Sequence, residues 1–109
     1  MGYDARLTLA DGRIVWYLDE GEEASTPVVF CHGSPSSRLA AIDHVERVVG
    51  GGGRVIAPDR PGLGRSAPDV GRSLASWAGD VAELMNALGL ARFRALAVSG
   101  GGPYALALA

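Results

Sequence analysis

The 109-residue sequence has no lysine and a single cysteine. With Cys31 alone no internal disulfide can form, which excludes a small secreted scaffold held together by cystines. All ten basic residues are arginines, scattered from Arg6 to Arg94 without a cluster or interleaved aromatics, and twelve acidic residues bring the formal net charge to -2. Nucleic acid binding needs a basic patch or stripe, so no nucleic acid partner is expected. Without a lysine no P-loop can be built. No uncharged apolar run reaches the ~20 residues of a membrane span, so no membrane anchor is expected. The opening Met1-Gly2-Tyr3-Asp4-Ala5-Arg6 lacks the basic-then-apolar layout of a secretory signal, and Arg6 stands where a myristoylation signal wants Ser or Thr. A reducing, cytoplasmic location is the expectation. Aromatics are scarce at 6%, but 48% hydrophobic and 20% charged residues describe one globular unit rather than a disordered tail.

What is present is patterned. Leu7 and Leu9, Asp11-Gly12, then Ile14, Trp16 and Leu18 alternate apolar with polar around a two-residue turn, predicting an antiparallel hairpin over residues 6–18. Val28-Val29-Phe30-Cys31 is a continuous apolar run after Pro27, as in a strand buried on both faces. A first helix is expected from Ser37 to Val49, with Leu39, Ile42, Val45 and Val48 at helical spacing. Arg54-Val55-Ile56-Ala57 reads as a second buried strand. Ser73 is a credible N-cap for a second helix carrying Leu74, Trp77, Val81, Leu84, Met85 and Leu88 on one face, with Gly89 just past its end. Phe93 to Val98 makes a third apolar strand, and the Ala/Leu-rich segment after Pro103 reads as helical to Ala109. Strand and helix alternate, so the fold class is α/β: a hairpin followed by βαβαβα units of a parallel sheet with right-handed crossovers. Such sheets commonly need about 200 residues. Residues 1–109 therefore read as one partial domain of a truncated chain.

In a parallel sheet, functional groups gather beyond the carboxyl ends of the strands. Three loops leave those ends: His32-Gly33-Ser34-Pro35, Asp59 to Ser66, and Ser99 to Gly102. The third follows a strand and opens a helix, the setting of a nucleophile elbow, in which a serine hydroxyl is raised on a sharp bend. Ala97 and Gly101 fit a turn too tight for larger side chains, and the Gly100 N–H, at a helix start, is one donor to a developing oxyanion.

These motifs give the chain its resemblance to the N-terminal part of the α/β-hydrolase family. His32-Gly33-Ser34-Pro35 resembles the family's His-Gly-x-Pro oxyanion loop, Asp59-Arg60-Pro61-Gly62-Leu63-Gly64-Arg65-Ser66 its Asp-x-x-Gly-x-Gly-x-Ser loop, and Ala97 to Gly101 its Gly-x-Ser-x-Gly elbow, with Ala97 in place of the first glycine. The resemblance implies Ser99 as nucleophile, the N–H groups of Gly100 and Ser34 as oxyanion hole, and His32, Gly33, Asp59 and Gly101 as supports. It implies a small-molecule acyl substrate and neither cofactor nor metal. Serine at the elbow argues against the branches that use aspartate there, such as epoxide hydrolases and haloalkane dehalogenases. The family's acid and base histidine follow the elbow, so this chain lacks its base and is expected to be inactive alone.

Other readings stay open. Gly100-x-Gly102-x-x-Ala105 after a strand matches a dinucleotide fingerprint, and a non-catalytic hydrolase-like piece could bind partners through its sheet edge. His32 could approach Ser99 with Asp59 behind it, forming a triad inside the chain. Cys31 is expected to be a buried apolar residue, His44 a solvated or partly packed helical one. Arg60 and Arg65 could bind a substrate anion or pair with Asp59 or Asp69. The substrate's identity and the oligomeric state are not encoded in these motifs.

Overall fold

The alternating residues near the start form an antiparallel hairpin in the computed structural model, which describes residues 4–21, 26–33, 37–41, 47, 50, 52–60, 63–64, 66, 73–97 and 101–108. Strand β1 (Asp4–Thr8) pairs with β2 (Ile14–Gly21), Thr8 lying opposite Ile14 and Asp4 opposite Leu18. The connection is not the expected two-residue turn. Leu9 N–H donates to Arg13 O (2.8 Å), closing a loop of Ala10, Asp11 and Gly12, with Gly12 at φ +91° in the left-handed place that such a loop requires. Asp11 holds the wider loop by accepting from the Arg13 N–H (3.0 Å) and from Arg13 Nε (2.7 Å).

The apolar runs become short strands: β3 (Pro27–Cys31) and β4 (Arg54–Pro58) are central and mostly buried, whereas β5 (Arg94–Ala97) is the edge strand among the described residues, with Arg94, Ala95 and Leu96 exposed. The sheet order is β1-β2-β4-β3-β5, with β3 parallel to both β4 and β5, and β2 joining β4 antiparallel. Successive side chains on a strand face opposite ways, so the sheet builds two cores. Val29, Cys31 and Ile56 pack on one face with Trp77, Val81, Leu84 and Met85, whereas Phe30, Val55 and Ala57 pack on the other with Leu18 and Ala41. β4 and β5 flank β3 on opposite sides, so the chain reverses its direction of travel across the sheet there. In open α/β sheets, functional groups gather beyond the carboxyl ends of the strands at such a reversal.

Helix α1 (Leu74–Ala87) starts where Ser73 predicts it: the Ser73 side chain accepts from Ser76 N–H (3.0 Å), and Ser76 Oγ accepts from Ser73 N–H (2.7 Å). Its buried stripe is Trp77, Asp80, Val81, Leu84 and Met85. Leu74, expected on that stripe, is exposed at the first position of the helix. Helix α2 (Gly102–Ala107) packs on the same face, with Tyr104, Ala105 and Leu108 against the α1 core. The expected first helix opens as a 3-10 turn, Arg38–Ala41, with Leu39 exposed rather than packed. Its other predicted apolar positions, Ile42, Val45 and Val48, and also His44, lie outside the described residues.

The hairpin is latched to α1. Arg13 donates to both oxygens of Asp80 (Nη1–Oδ2 3.0 Å, Nη2–Oδ1 2.7 Å), and Ala10 N–H donates to Glu83 Oε2 (3.0 Å). Both members of the Arg13–Asp80 pair are largely buried. Asp80→Ala is expected to lower the unfolding free energy of the whole protein in urea by about 1.5–3 kcal/mol, the usual cost of losing a hydrogen-bonded charge. A change below about 0.5 kcal/mol would mean that the latch carries no load.

Candidate functional site at the carboxyl ends of the strands

The Asp59 carboxylate has no exposed surface, and Arg38 serves both of its oxygens: the main-chain N–H at Oδ1 (2.5 Å) and Nη1 at Oδ2 (2.7 Å). Arg38 also reaches out of the core to Asp4 on β1 (Nε–Oδ1 2.9 Å, Nη2–Oδ2 3.0 Å), and its guanidinium lies over Trp16, 5.7 Å from the ring centroid. One buried cation thus ties the hairpin, the 3-10 turn and the end of β4 together. Sequence reasoning missed Arg38, although a carboxylate directly after a buried strand demands a cation and Arg38 opens the neighbouring element.

The rest of the Asp59 loop folds back on that pair. Gly64 sits at φ +55°, and a Cβ there would lie 2.3 Å from the Asp59 carboxyl carbon, so only glycine can close the loop over it. Ser66 Oγ donates to Asp59 O (2.9 Å) and accepts from Trp16 N–H (3.0 Å), while Asp59 N–H donates to Trp16 O (2.9 Å). The spacing from Asp59 through Gly64 to Ser66 encodes one clasp onto β2.

His32, also without exposed surface, is committed at both ring nitrogens. A main-chain N–H can only donate, so Nε2 accepts from Arg60 N–H (3.1 Å); a carbonyl can only accept, so Nδ1 carries the proton and donates to Gly33 O (2.7 Å). Burial holds the His32 pKa below its ordinary 6.5, with the Arg60 charge acting in the same direction and the Gly33 hydrogen bond opposing it. The alternative of a triad inside the chain is therefore corrected: His32 has no nitrogen left to act as base, and Asp59 faces Arg38 rather than His32. Nor does Arg60 pair with Asp59 as expected. Its guanidinium donates to the carbonyls of His32 and Gly33 (Nη2–O 3.3 Å for the latter) and stacks 4.1 Å from the Tyr104 ring centroid. Along β4 and its continuation, side chains alternate between the two faces, so Asp59 turns to the 3-10 turn and Arg60 to α2.

Gly101, the N-cap of α2, meets the end of β3 at main-chain distance. A Cβ on Gly101 would lie 2.1 Å from Cys31 O and 2.7 Å from His32 O. The crowding expected at this glycine is present, and its nearest atoms belong to Cys31 and His32 rather than Ala97. Cys31 is buried and free, its thiol pushed up to about 11 by burial against a smaller pull from Arg60. It is an apolar core residue, as expected. Ser34, Val98, Ser99, Gly100, Arg65 and Asp69 lie outside the described residues. Among the described residues no three His, Cys, Asp or Glu side chains gather as a metal site would, and no helix is long and apolar enough to cross a membrane.

Comparison with known proteins places these features in a setting. Residues 26–109 match the family model described as alpha/beta hydrolase fold. The chain is 41% identical over 85 residues to a non-heme chloroperoxidase of Streptomyces lividans, covering 77% of this chain and 31% of that protein. Against a non-heme chloroperoxidase of Kitasatospora aureofaciens it is 38% identical over 96 residues, covering 87% and 34%. The chain spans about a third of the length of these curated relatives. An esterase from Exiguobacterium antarcticum superimposes with a TM-score of 0.84 at 28% identity, over 97% of this chain and 39% of the esterase. An epoxide hydrolase from Vigna radiata superimposes with a TM-score of 0.81 at 22% identity, over 98% and 33%, a likeness of fold alone.

Two stability measurements check the buried network. Asp59→Asn leaves Arg38 without its buried anion and is expected to cost about 3–5 kcal/mol in urea unfolding, with Asp59→Asn/Arg38→Met costing less than the sum of the single changes. Additive costs would show that the two side chains do not act as a pair. For His32 the unfolded chain takes up a proton near pH 6.5, while the folded protein resists it to lower pH. Between those values the unfolded state binds more protons, so stability present at pH 7 is lost on acidification, by at most about 1.4 kcal/mol per pH unit. His32→Gln should flatten the pH dependence between 7 and 5; an unchanged slope would contradict the buried neutral imidazole.

Proposed function

The chain belongs to the α/β-hydrolase fold family, and on that premise we propose that the whole protein is a serine hydrolase cleaving an ester, amide, lactone or related acyl bond through an acyl-enzyme on Ser99. In this reading Ser99 Oγ adds to the acyl carbon as a general base takes its proton. The carbonyl oxygen becomes an oxyanion received by the N–H groups of Gly100 and Ser34. Collapse breaks the acyl bond and expels an alcohol or amine, which takes that proton, and a water then adds to the acyl-enzyme, releasing the acid and restoring Ser99. His32, Gly33, Asp59 and Gly101 support the two loops and touch no reacting atom.

The observation that carries the reading is the contact at Gly101. Three residues, Val98, Ser99 and Gly100, are all the chain has between Ala97 at the end of β5 and the N-cap Gly101, which is pressed against the Cys31 and His32 carbonyls. A strand-to-helix passage that short, beside the loop carrying Ser34, is what a nucleophile elbow needs. The esterase likeness and serine at the bend favour acyl transfer over the aspartate-dependent chemistries. Both nitrogens of His32 being taken, the base and its acid are assigned to the whole protein outside residues 1–109, and a fragment limited to those residues is inactive on this reading. The substrate is a small acyl compound, no cofactor takes part, and a buried free thiol at Cys31 suits a reducing, cytoplasmic setting.

A fluorophosphonate probe tests the proposal. The whole protein should label, Ser99→Ala should not, and ester turnover should fall by about three orders of magnitude or more in that variant. Labelling that survives Ser99→Ala removes the nucleophile, and thermal stabilisation by a dinucleotide in its place would favour the fingerprint at Gly100 and Gly102. Absence of both responses would leave a non-catalytic binding piece.

A further inference from the structure

Resting on the acyl-transfer reading, we propose that Arg60 is a positioning residue: it ties the segment leading into Ser34 to the helix that follows Gly100, and so sets the spacing of the two oxyanion donors. Arg60 is 2% exposed. Its guanidinium donates to the His32 carbonyl and to Gly33 O (3.3 Å), its main-chain N–H donates to His32 Nε2 (3.1 Å), and its charged plane lies 4.1 Å from the centroid of Tyr104. Gly33 is bonded to Ser34, and Tyr104 stands three residues after Gly101 on α2. The Tyr104 ring is itself fixed edge-on by Trp77 of α1, centroids 6.1 Å apart and planes at 89°.

A guanidinium suits this post because it is planar, stays charged, and can present donors to two carbonyls while its face lies on an aromatic ring. Lysine offers a point charge and no plane. The carbonyl ends of β3 would otherwise be free to slide relative to α2 by the slack of a side-chain contact. A displacement of about 1 Å in a catalytic constellation can cost about a hundredfold in rate. The direct meeting of Gly101 with Cys31 O fixes the approach of the two segments, and Arg60 fixes their registration along it.

The test uses the whole protein with p-nitrophenyl acetate, active sites being counted by fluorophosphonate labelling so that loss of folded protein drops out. Arg60→Met is expected to lower kcat per labelled site by about 10–100-fold with KM changed less than about threefold, because donors to an oxyanion act on the transition state more than on the bound ester. Affinity for a boronic acid, which forms a tetrahedral adduct, should weaken by a similar factor, and Arg60→Lys should recover only part. Tyr104→Leu should lose about threefold to tenfold in kcat per site and Tyr104→Phe should recover it, since the ring face is kept. Unchanged kcat per site and boronate affinity in Arg60→Met would overturn the proposal, as would equal rates for Tyr104→Leu and Tyr104→Phe if Arg60→Met fails to fold. Turnover that survives Ser99→Ala defeats the acyl-enzyme reading first, a result these substitutions cannot produce.

Discussion

A carboxylate with no exposed surface at the end of a central strand must be answered by a buried cation, and the arrangement of the first half of the chain follows from that demand at Asp59. Arg38 answers it with both a main-chain and a side-chain donor, which fixes where the 3-10 turn sits over the sheet. The other arm of the same guanidinium reaches Asp4, so the outer strand of the hairpin is drawn toward the loop it would otherwise only flank. Ser66 and Gly64 then close the loop on the pair, one by bridging Asp59 O to Trp16 N–H, the other by having no side chain to offer. Pair, clasp and hairpin form a single assembly in which each part excludes water from the others.

The next residue faces the opposite way, and that alternation divides the labour at the strand ends. Asp59 organises the face holding Phe30, Val55 and Ala57, and Arg60 the face holding Cys31, Ile56 and Trp77. His32 joins the two through its ring, which accepts a hydrogen bond from Arg60 N–H and donates one to Gly33 O. An imidazole used in this manner is neutral, and its burial favours that form. A histidine beside a nucleophile motif invites a catalytic assignment; here its hydrogen bonds leave it a structural one.

The sequence made legible whatever depends on periodicity or on one residue's local chemistry. The hairpin, the buried strands β3 and β4, the Ser73 cap and the stripe from Trp77 to Met85 follow from spacing, and the third apolar run also forms its strand, although at the described edge of the sheet it is left exposed. What was illegible depends on tertiary partners. Arg38 carries no signal in the sequence because nothing in its neighbours announces that Asp59, 21 residues on, will be buried beside it. Asp59 and Arg60 looked like natural partners because they are adjacent, yet adjacency on an extended chain sends two side chains to opposite faces. The turn at Asp11-Gly12 is one residue longer than the pair suggests, and Asp11 holds that longer loop through Arg13. At the candidate site the positions were readable through their glycines, and the cations that brace them were not.

That division explains why a chain spanning about a third of its relatives' length can resemble proteins bearing several reaction names. In this chain the frame consists of main-chain approaches: Gly101 against Cys31 O, Gly64 over Asp59, carbonyls gathered by Arg60. A main-chain frame decides where negative charge can develop and be met by N–H donors, but it is indifferent to which leaving group departs or what the acyl chain looks like. In the reading advanced for Ser99, reaction type is then set by the residue at the bend, and the choice among substrates falls to walls that this frame supports without forming.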